Sequence, residues 1–137
     1  YFLRLIWKKE TYDDLRIDDD YNISVINRIG SECLGTLSAG ERQVLALSFL
    51  AALREVSGFD AAVVIDTPLG RISKEPKENI ADLLPEFLKE VQVTMFMTDE
   101  EYTREVRQKL ARKVGKEYEL VYDEEKSQTT VKPYGAK

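Results

Sequence analysis

Between Val44 and Leu53 the chain reads VLALSFLAAL, apolar nearly all round, which predicts a long helix buried on most sides. Ser38 precedes this run with Glu41 three residues on, the spacing of a capping box, and Ser57-Gly58 follows as a stop. The predicted helix therefore runs from Ser38 to about Val56. Ala61 to Ile65 (AAVVI) and Val91 to Met97 (VQVTMFM) are continuous apolar runs of strand length, the kind expected in a parallel sheet covered on both faces. Pro76 to about Glu90 lies between them as a second helix, with Pro76 in its first turn and Pro85 as a candidate kink. Strand, helix, strand in that order predicts a parallel βαβ crossover of right hand.

The flanks carry weaker patterns. Tyr1 to Lys9 (YFLRLIWKK) fits either the end of an amphipathic helix or a strand. Tyr12 to Ile17 and Ile23 to Ile29 mix β-branched and polar residues around the turn signal Asp18-Asp19-Asp20-Tyr21-Asn22, which predicts a hairpin. Gly30 to Thr36 reads as a loop. Asp99 to about Lys113 reads as a third helix whose acidic start and basic end suit the helix dipole. Glu117 to Tyr122 and Gln128 to Lys132 flank a polar turn and predict a closing hairpin, with Gly135-Ala136-Lys137 as a tail. The expected fold is a single α/β domain over residues 1–137, a parallel βαβ core with flanking hairpins.

Composition narrows the function. A chain of 137 residues that is 43% hydrophobic can build one real core. Its net charge of −5 argues against a module that coats nucleic acid, although a local basic face can exist on an acidic chain. With no histidine, histidine-based catalysis and ordinary histidine zinc sites are excluded. The single cysteine, Cys33, permits no internal disulfide and fits a reducing, cytoplasmic setting. No apolar run reaches membrane-spanning length, so no membrane partner is expected. The chain opens at Tyr1 without a methionine, and a fragment or a processed piece is expected.

Two stretches carry candidate chemistry. Leu37-Ser38-Ala39-Gly40-Glu41-Arg42-Gln43 puts a hydroxyl, a glycine and free backbone amides at a helix N-terminus, which is a ready anion site. Ser38 and Glu41 also have a purely structural use in the capping box, and Arg42 and Gln43 either add reach or are merely solvated. Asp66 ends an apolar strand, and Thr98-Asp99 end the other. Ligands of parallel sheets sit outside the carboxyl ends of the strands. An aspartate there suits Mg²⁺, which takes a few carboxylates plus water and phosphate oxygens. It also suits a plain turn cap leading into Pro68.

Taken together, the two stretches are more specific. Leu37 to Gln43 resembles the signature motif of ABC-type ATPases, and Ala62 to Asp66 resembles their Walker B strand. Pro68 to Ser73 stands in the place of the D-loop, and Thr98-Asp99 in that of the switch segment. The match runs from about Leu37 to Glu101. It is closest to SMC-like coiled-coil ATPases of DNA repair, such as the ATPase of the Mre–Rad complex. Asp66-Thr67-Pro68-Leu69-Gly70-Arg71 and Thr98-Asp99-Glu100-Glu101 tilt it toward the DndD-type ATPases of DNA phosphorothioation systems.

The resemblance implies the C-terminal half of a P-loop NTPase-like, ABC ATPase head. No G-x-x-x-x-G-K-[ST] occurs, so the Walker A half would lie in another segment of the same protein. Tyr1 to Lys9 would be where a coiled coil enters the head. Two heads would sandwich ATP and Mg²⁺. Ser38, Ala39, Gly40 and Glu41 would serve the nucleotide of the partner head. Asp66 would hold Mg²⁺ through water, with Asp66, Thr67, Thr98 and Asp99 as the catalytic group. Gly70, Arg71 and Ser73 would cross the dimer interface. DNA is the expected cargo, with a nuclease or a DNA-modification enzyme as a further partner, and the isolated chain is expected to be inactive.

Two departures from the family pattern stand out. Glutamate usually follows the Walker B aspartate, and Thr67 cannot act as a carboxylate base. The switch position commonly carries histidine, and Thr98 stands there. A nucleotide-gated structural head with little hydrolysis is therefore an alternative, and a transporter's nucleotide-binding subunit is another. Arg104, Arg107, Arg112 and Lys113 offer a DNA-facing stripe on the third helix, but a solvated face paired with Glu101 and Glu105 explains them more simply.

Overall fold

The structure, a computed structural model, describes residues 1–58, 61–89 and 91–135, apart from the side chain of Glu75. The predicted tail is therefore described only at Gly135, since Ala136 and Lys137 lie outside these residues. The elements in chain order are α1 (Phe2–Leu5), β1 (Tyr12–Ile17), β2 (Ile23–Asn27), a 3₁₀ turn (Leu34–Thr36), α2 (Ala39–Ser57), β3 (Val63–Asp66), α3 (Lys74–Phe87), β4 (Val93–Phe96), α4 (Arg104–Leu110), β5 (Tyr118–Asp123) and β6 (Gln128–Pro133).

The strands form three two-stranded sheets, β1–β2, β3–β4 and β5–β6. The outer two are antiparallel hairpins. In the first, the Asp18 carboxylate gathers the Asp20 and Asn22 N–H groups and lets Tyr21 turn at φ 64°. The middle pair is parallel, with Val63 opposite Val93 and Asp66 opposite Phe96, and α3 lies between its strands in sequence. That is the expected βαβ unit. Helix α3 continues through Pro85 to Phe87.

One core runs through these elements, including Ile6, Val25, Val44, Leu69, Ile80 and Val106, all at 0% exposure. Burial is less complete than the apolar runs predict. Strand β3 was expected to be covered on both faces, yet Val64 is 64% exposed and Phe96 on β4 is 47% exposed. Helix α2 was expected to be buried on most sides, yet Phe49 and Leu53 are 45% and 51% exposed. Apolar surface therefore stays open on the β3–β4 pair and on α2. The predicted third helix also starts later than its acidic residues suggest. Asp99, Glu100 and Glu101 form a turn, and α4 begins after Thr103, whose hydroxyl accepts the Val106 N–H at 3.3 Å. Among the described residues no helix is long and apolar enough to cross a membrane.

Candidate functional site

The start of α2 is built as its sequence predicts. Ser38 Oγ accepts the Glu41 N–H at 3.3 Å, and Glu41 Oε2 accepts the Ser38 N–H at 2.7 Å, closing the capping box. Ser38 and Ala39 are exposed at the helix N-terminus, where unpaired amides and the dipole favour an anion. Glu41, expected among the nucleotide-facing residues, is 2% exposed and turns inward. Its Oε1 accepts from the Tyr12 hydroxyl at 2.8 Å and pairs with Lys8 Nζ at 2.7 Å. Burial pushes the Glu41 carboxyl up, but the bonds from Lys8, Ser38 and Tyr12 outweigh it and hold the group at about 2. Burial and the same Glu41 contact push the Tyr12 phenol up.

Gly40 is buried too, and a Cβ there would lie 2.7 Å from the Arg71 carbonyl oxygen and 3.3 Å from the Trp7 ring. Only a bare α-carbon lets the helix approach the loop after β3 this closely. Gln43 adds to this contact, its side-chain amide donating to the carbonyls of Thr67 at 3.1 Å and Pro68 at 3.4 Å. Arg42 bends back instead, its Nε bonding the Leu37 carbonyl at 2.9 Å.

Asp66 is exposed at the carboxyl end of β3, and Thr67 N–H continues the parallel ladder by donating to the Phe96 carbonyl at 2.9 Å. Thr67 adopts φ 47°, a left-handed conformation that a β-branched residue rarely takes. The loop then runs through Pro68 and buried Leu69 to exposed Gly70, Arg71 and Ser73. Thr98 and Asp99 are exposed beyond the end of β4. Among the described residues no three acidic or cysteine side chains cluster as a metal cage. Asp66 thus offers a single carboxylate, which fits a Mg²⁺ ion that draws its other ligands from water and phosphate.

The sequence did not reveal Glu101. Its spacing from the arginines predicts a surface partner, yet Glu101 is 0% exposed. Its Oε1 accepts the Leu69 N–H at 2.7 Å, and its Oε2 accepts the Thr98 N–H at 3.0 Å and the Thr98 hydroxyl at 3.2 Å. The spacing Thr98-x-x-Glu101 is that of a capping box and was the available signal. Lys77, 8% exposed, holds the same turn by donating to the Glu100 carbonyl at 2.8 Å. Of the predicted basic stripe, Arg107 and Lys113 are engaged by other partners than Glu101 and Glu105. Arg107 pairs with Glu117 at 2.9 Å, Lys113 lies 3.9 Å from Asp82 and 3.8 Å from Glu86, and Glu105 faces Lys74 at 3.9 Å.

The geometry joins three predicted motifs in one chain, the start of α2, the loop after β3 and the turn after β4. No protein-family model matches the sequence. Two curated proteins described as DNA double-strand break repair Rad50 ATPase are similar to it. The one from Thermoplasma acidophilum is 26% identical over 83 residues, 60% of this chain and 9% of the relative. The one from Thermoplasma volcanium is 28% identical over 79 residues, 57% of this chain and 9% of the relative. The match thus spans less than a tenth of either relative's length.

Among solved structures, one described as concerning ATP-driven dimerization and DNA-stimulated activation of SMC ATPases superposes with a TM-score of 0.69. It is 14% identical and covers 98% of this chain and 78% of its own. The SMC head domain from Thermotoga maritima superposes with a TM-score of 0.58 at 19% identity, covering 83% of this chain and 40% of its own. The fold resembles that of SMC ATPase head domains. The sequence likeness is to proteins described as Rad50 ATPases.

Proposed function

We propose that this chain is the C-terminal half of an SMC-like ABC ATPase head, a lobe of the P-loop NTPase type that supplies the signature motif, Walker B strand and D-loop to an ATP-driven dimer. The observation that carries this reading is the approach of Gly40 to the Arg71 carbonyl, which joins the signature-like helix start to the D-loop-like segment. The Walker A half of the same protein is the missing neighbour. Val64 and Phe96 on β3–β4, and Tyr118, Leu120 and Val131 on one face of β5–β6, leave apolar surface of the kind that another protein layer covers. The likeness to SMC heads supports this reading over a transporter subunit.

In the dimer, Ser38, Ala39 and Gly40 bind the terminal phosphate of the nucleotide held by the partner head, assisted by the dipole of α2. Glu41 stays behind them and ties the motif to Lys8 and Tyr12, beside the segment where a coiled coil enters. Asp66 would hold Mg²⁺, which when bound would neutralise phosphate charge. Thr98 and Asp99 face the same end of the strands. Gly70, Arg71 and Ser73 cross to the other head. The cargo is DNA, in repair or in modification-based defence in the cytoplasm. The stretches Asp66–Arg71 and Thr98–Glu101 favour the DndD-type branch, with a DNA-modification enzyme or a nuclease as partner.

A second reading, a head that clamps on nucleotide with little turnover, is favoured by Thr67, whose side chain and left-handed backbone stand where the family carries a carboxylate base. The test of the proposal is ATP-dependent dimerisation of the complete head, this chain together with its Walker A half. The parent is expected to dimerise, and Ser38→Arg is expected to abolish it by filling the phosphate site. Dimerisation that survives Ser38→Arg would remove the role given to the α2 N-terminus. Turnover in the parent that Asp66→Ala removes supports the metal role and excludes the purely structural head.

A further inference from the structure

Glu101 makes more bonds than a turn requires. A capping box needs one carboxylate oxygen on the Thr98 N–H, and Oε2 supplies it. Oε1 reaches a different loop, 32 residues away in sequence, and accepts the N–H of Leu69 at 2.7 Å. Leu69 is itself 0% exposed, so that N–H has no solvent to fall back on. The carboxylate takes up three donors, and among the described residues it has no ion pair. A buried carboxylate held wholly by main-chain and hydroxyl donors is costly to disturb and fixes those donors in place. Gly70, next in the loop, packs against the Glu101 carboxyl carbon, with a Cβ position 3.7 Å away. Lys77, from the helix that follows this loop, pins Glu100 at 2.8 Å. The turn after β4 is thus fastened twice to the segment after β3.

We infer that Glu101 is a positioning residue that locks the D-loop-like segment to the switch-like Thr98, so that both respond to nucleotide as one body. This deepens, and rests on, the proposed head-dimer function. Through Gly40 and Gln43 the same D-loop-like segment is already held to α2. A shift at the α2 N-terminus on meeting the partner's nucleotide therefore passes to Leu69, through Glu101, and on to Thr98, which follows β4 at the same carboxyl end of the parallel pair where Asp66 ends β3.

The test uses Glu101→Gln in the complete head. The amide keeps the volume but has one acceptor oxygen, so either Leu69 or Thr98 faces an NH₂ group. Amide hydrogen exchange without nucleotide is read first. In the parent, Leu69 and Thr98 are expected to exchange together, and in the variant at least one of them about tenfold faster, with a lower melting temperature in a head that still folds. With ATP, the variant is expected to lose about tenfold or more in kcat with KM within about twofold, because mispositioning touches the reacting arrangement rather than binding. Independent exchange of Leu69 and Thr98 in the parent would overturn the lock. So would a variant whose kcat per folded head equals the parent's. If the parent shows no ATP-driven dimerisation, the head-dimer reading fails, and the exchange measurement still decides whether the lock exists.

Discussion

The α-carbon of Gly40 faces the carbonyl of Arg71 so closely that a Cβ would sit 2.7 Å from the oxygen. Two motifs separated by a helix and a strand thereby meet main chain to main chain, with the Gln43 side chain bonding the same loop. Main chain cannot swing aside as a side chain can, so a methyl at this position has to move α2 or the loop after β3. Gly40→Ala is expected to cost about 1–3 kcal/mol in urea unfolding of the complete head. Gly35→Ala, where a Cβ meets nothing within 4 Å, serves as the control and should stay within about 0.5 kcal/mol of the parent.

Glu41 gives the protein an acid-sensitive joint. Its folded value of about 2 lies below the ordinary 4.5, so the stability it adds is full above about pH 4.5 and is lost as pH falls toward 2. Unfolding free energy of the parent should therefore fall by on the order of 2–3 kcal/mol more than that of Glu41→Gln between about pH 6 and about pH 2.5. Equal slopes for the two proteins would show that the carboxylate is not held by Lys8, Ser38 and Tyr12 in the way the structure draws it.

Thr67 carries backbone strain at the end of β3. At φ 47° a threonine bears a steric cost of about 1–2 kcal/mol that glycine does not, while glycine loses about 0.4–1 kcal/mol through the freer unfolded chain. Thr67→Gly should consequently leave stability unchanged or raise it by up to about 1.6 kcal/mol. Chemical denaturation reads this directly. A clear loss would mean that the Thr67 side chain makes a stabilising contact outweighing its strain.

Much of this architecture is legible in the sequence. Ser38 and Glu41 announce the start of α2 by spacing, Asp18 and its neighbours announce the first turn, and the apolar runs on either side of α3 announce a parallel pair. These are local signals, in which one residue's preference is met by residues a few positions away. Glu101 was hidden because its decisive partner, Leu69, comes from another loop. The acidic run at Asp99 also imitates a helix start that in fact comes at Thr103. Apolar runs had a related limit. VLALSFLAAL and AAVVI say that faces want covering, not whether the covering element is present, and Phe49, Leu53 and Val64 remain open.

Arg107 and Lys113, near α4, are expected to contribute little to any DNA contact. Arg107 is engaged by Glu117 and packs 4.6 Å over the Tyr134 ring, and Lys113 donates to the Asp82 carbonyl at 2.6 Å. Replacing both by glutamine should leave the slope of DNA affinity against salt concentration unchanged. Each true phosphate contact would remove about one unit from it. A slope reduced by about two would restore this face as a DNA surface.

In the proposed dimer, Ser38 and Gly40 serve the partner's nucleotide while Asp66 serves the nucleotide of its own head. Mixing two inactive variants of the complete head, Ser38→Arg and Asp66→Ala, tests this arrangement most directly. In a mixed dimer both lesions fall in one composite site and leave the other intact. ATP-driven dimerisation and turnover are therefore expected to reappear in the mixture, although neither variant shows them alone. A mixture as inactive as its components would contradict the division of the site between two heads.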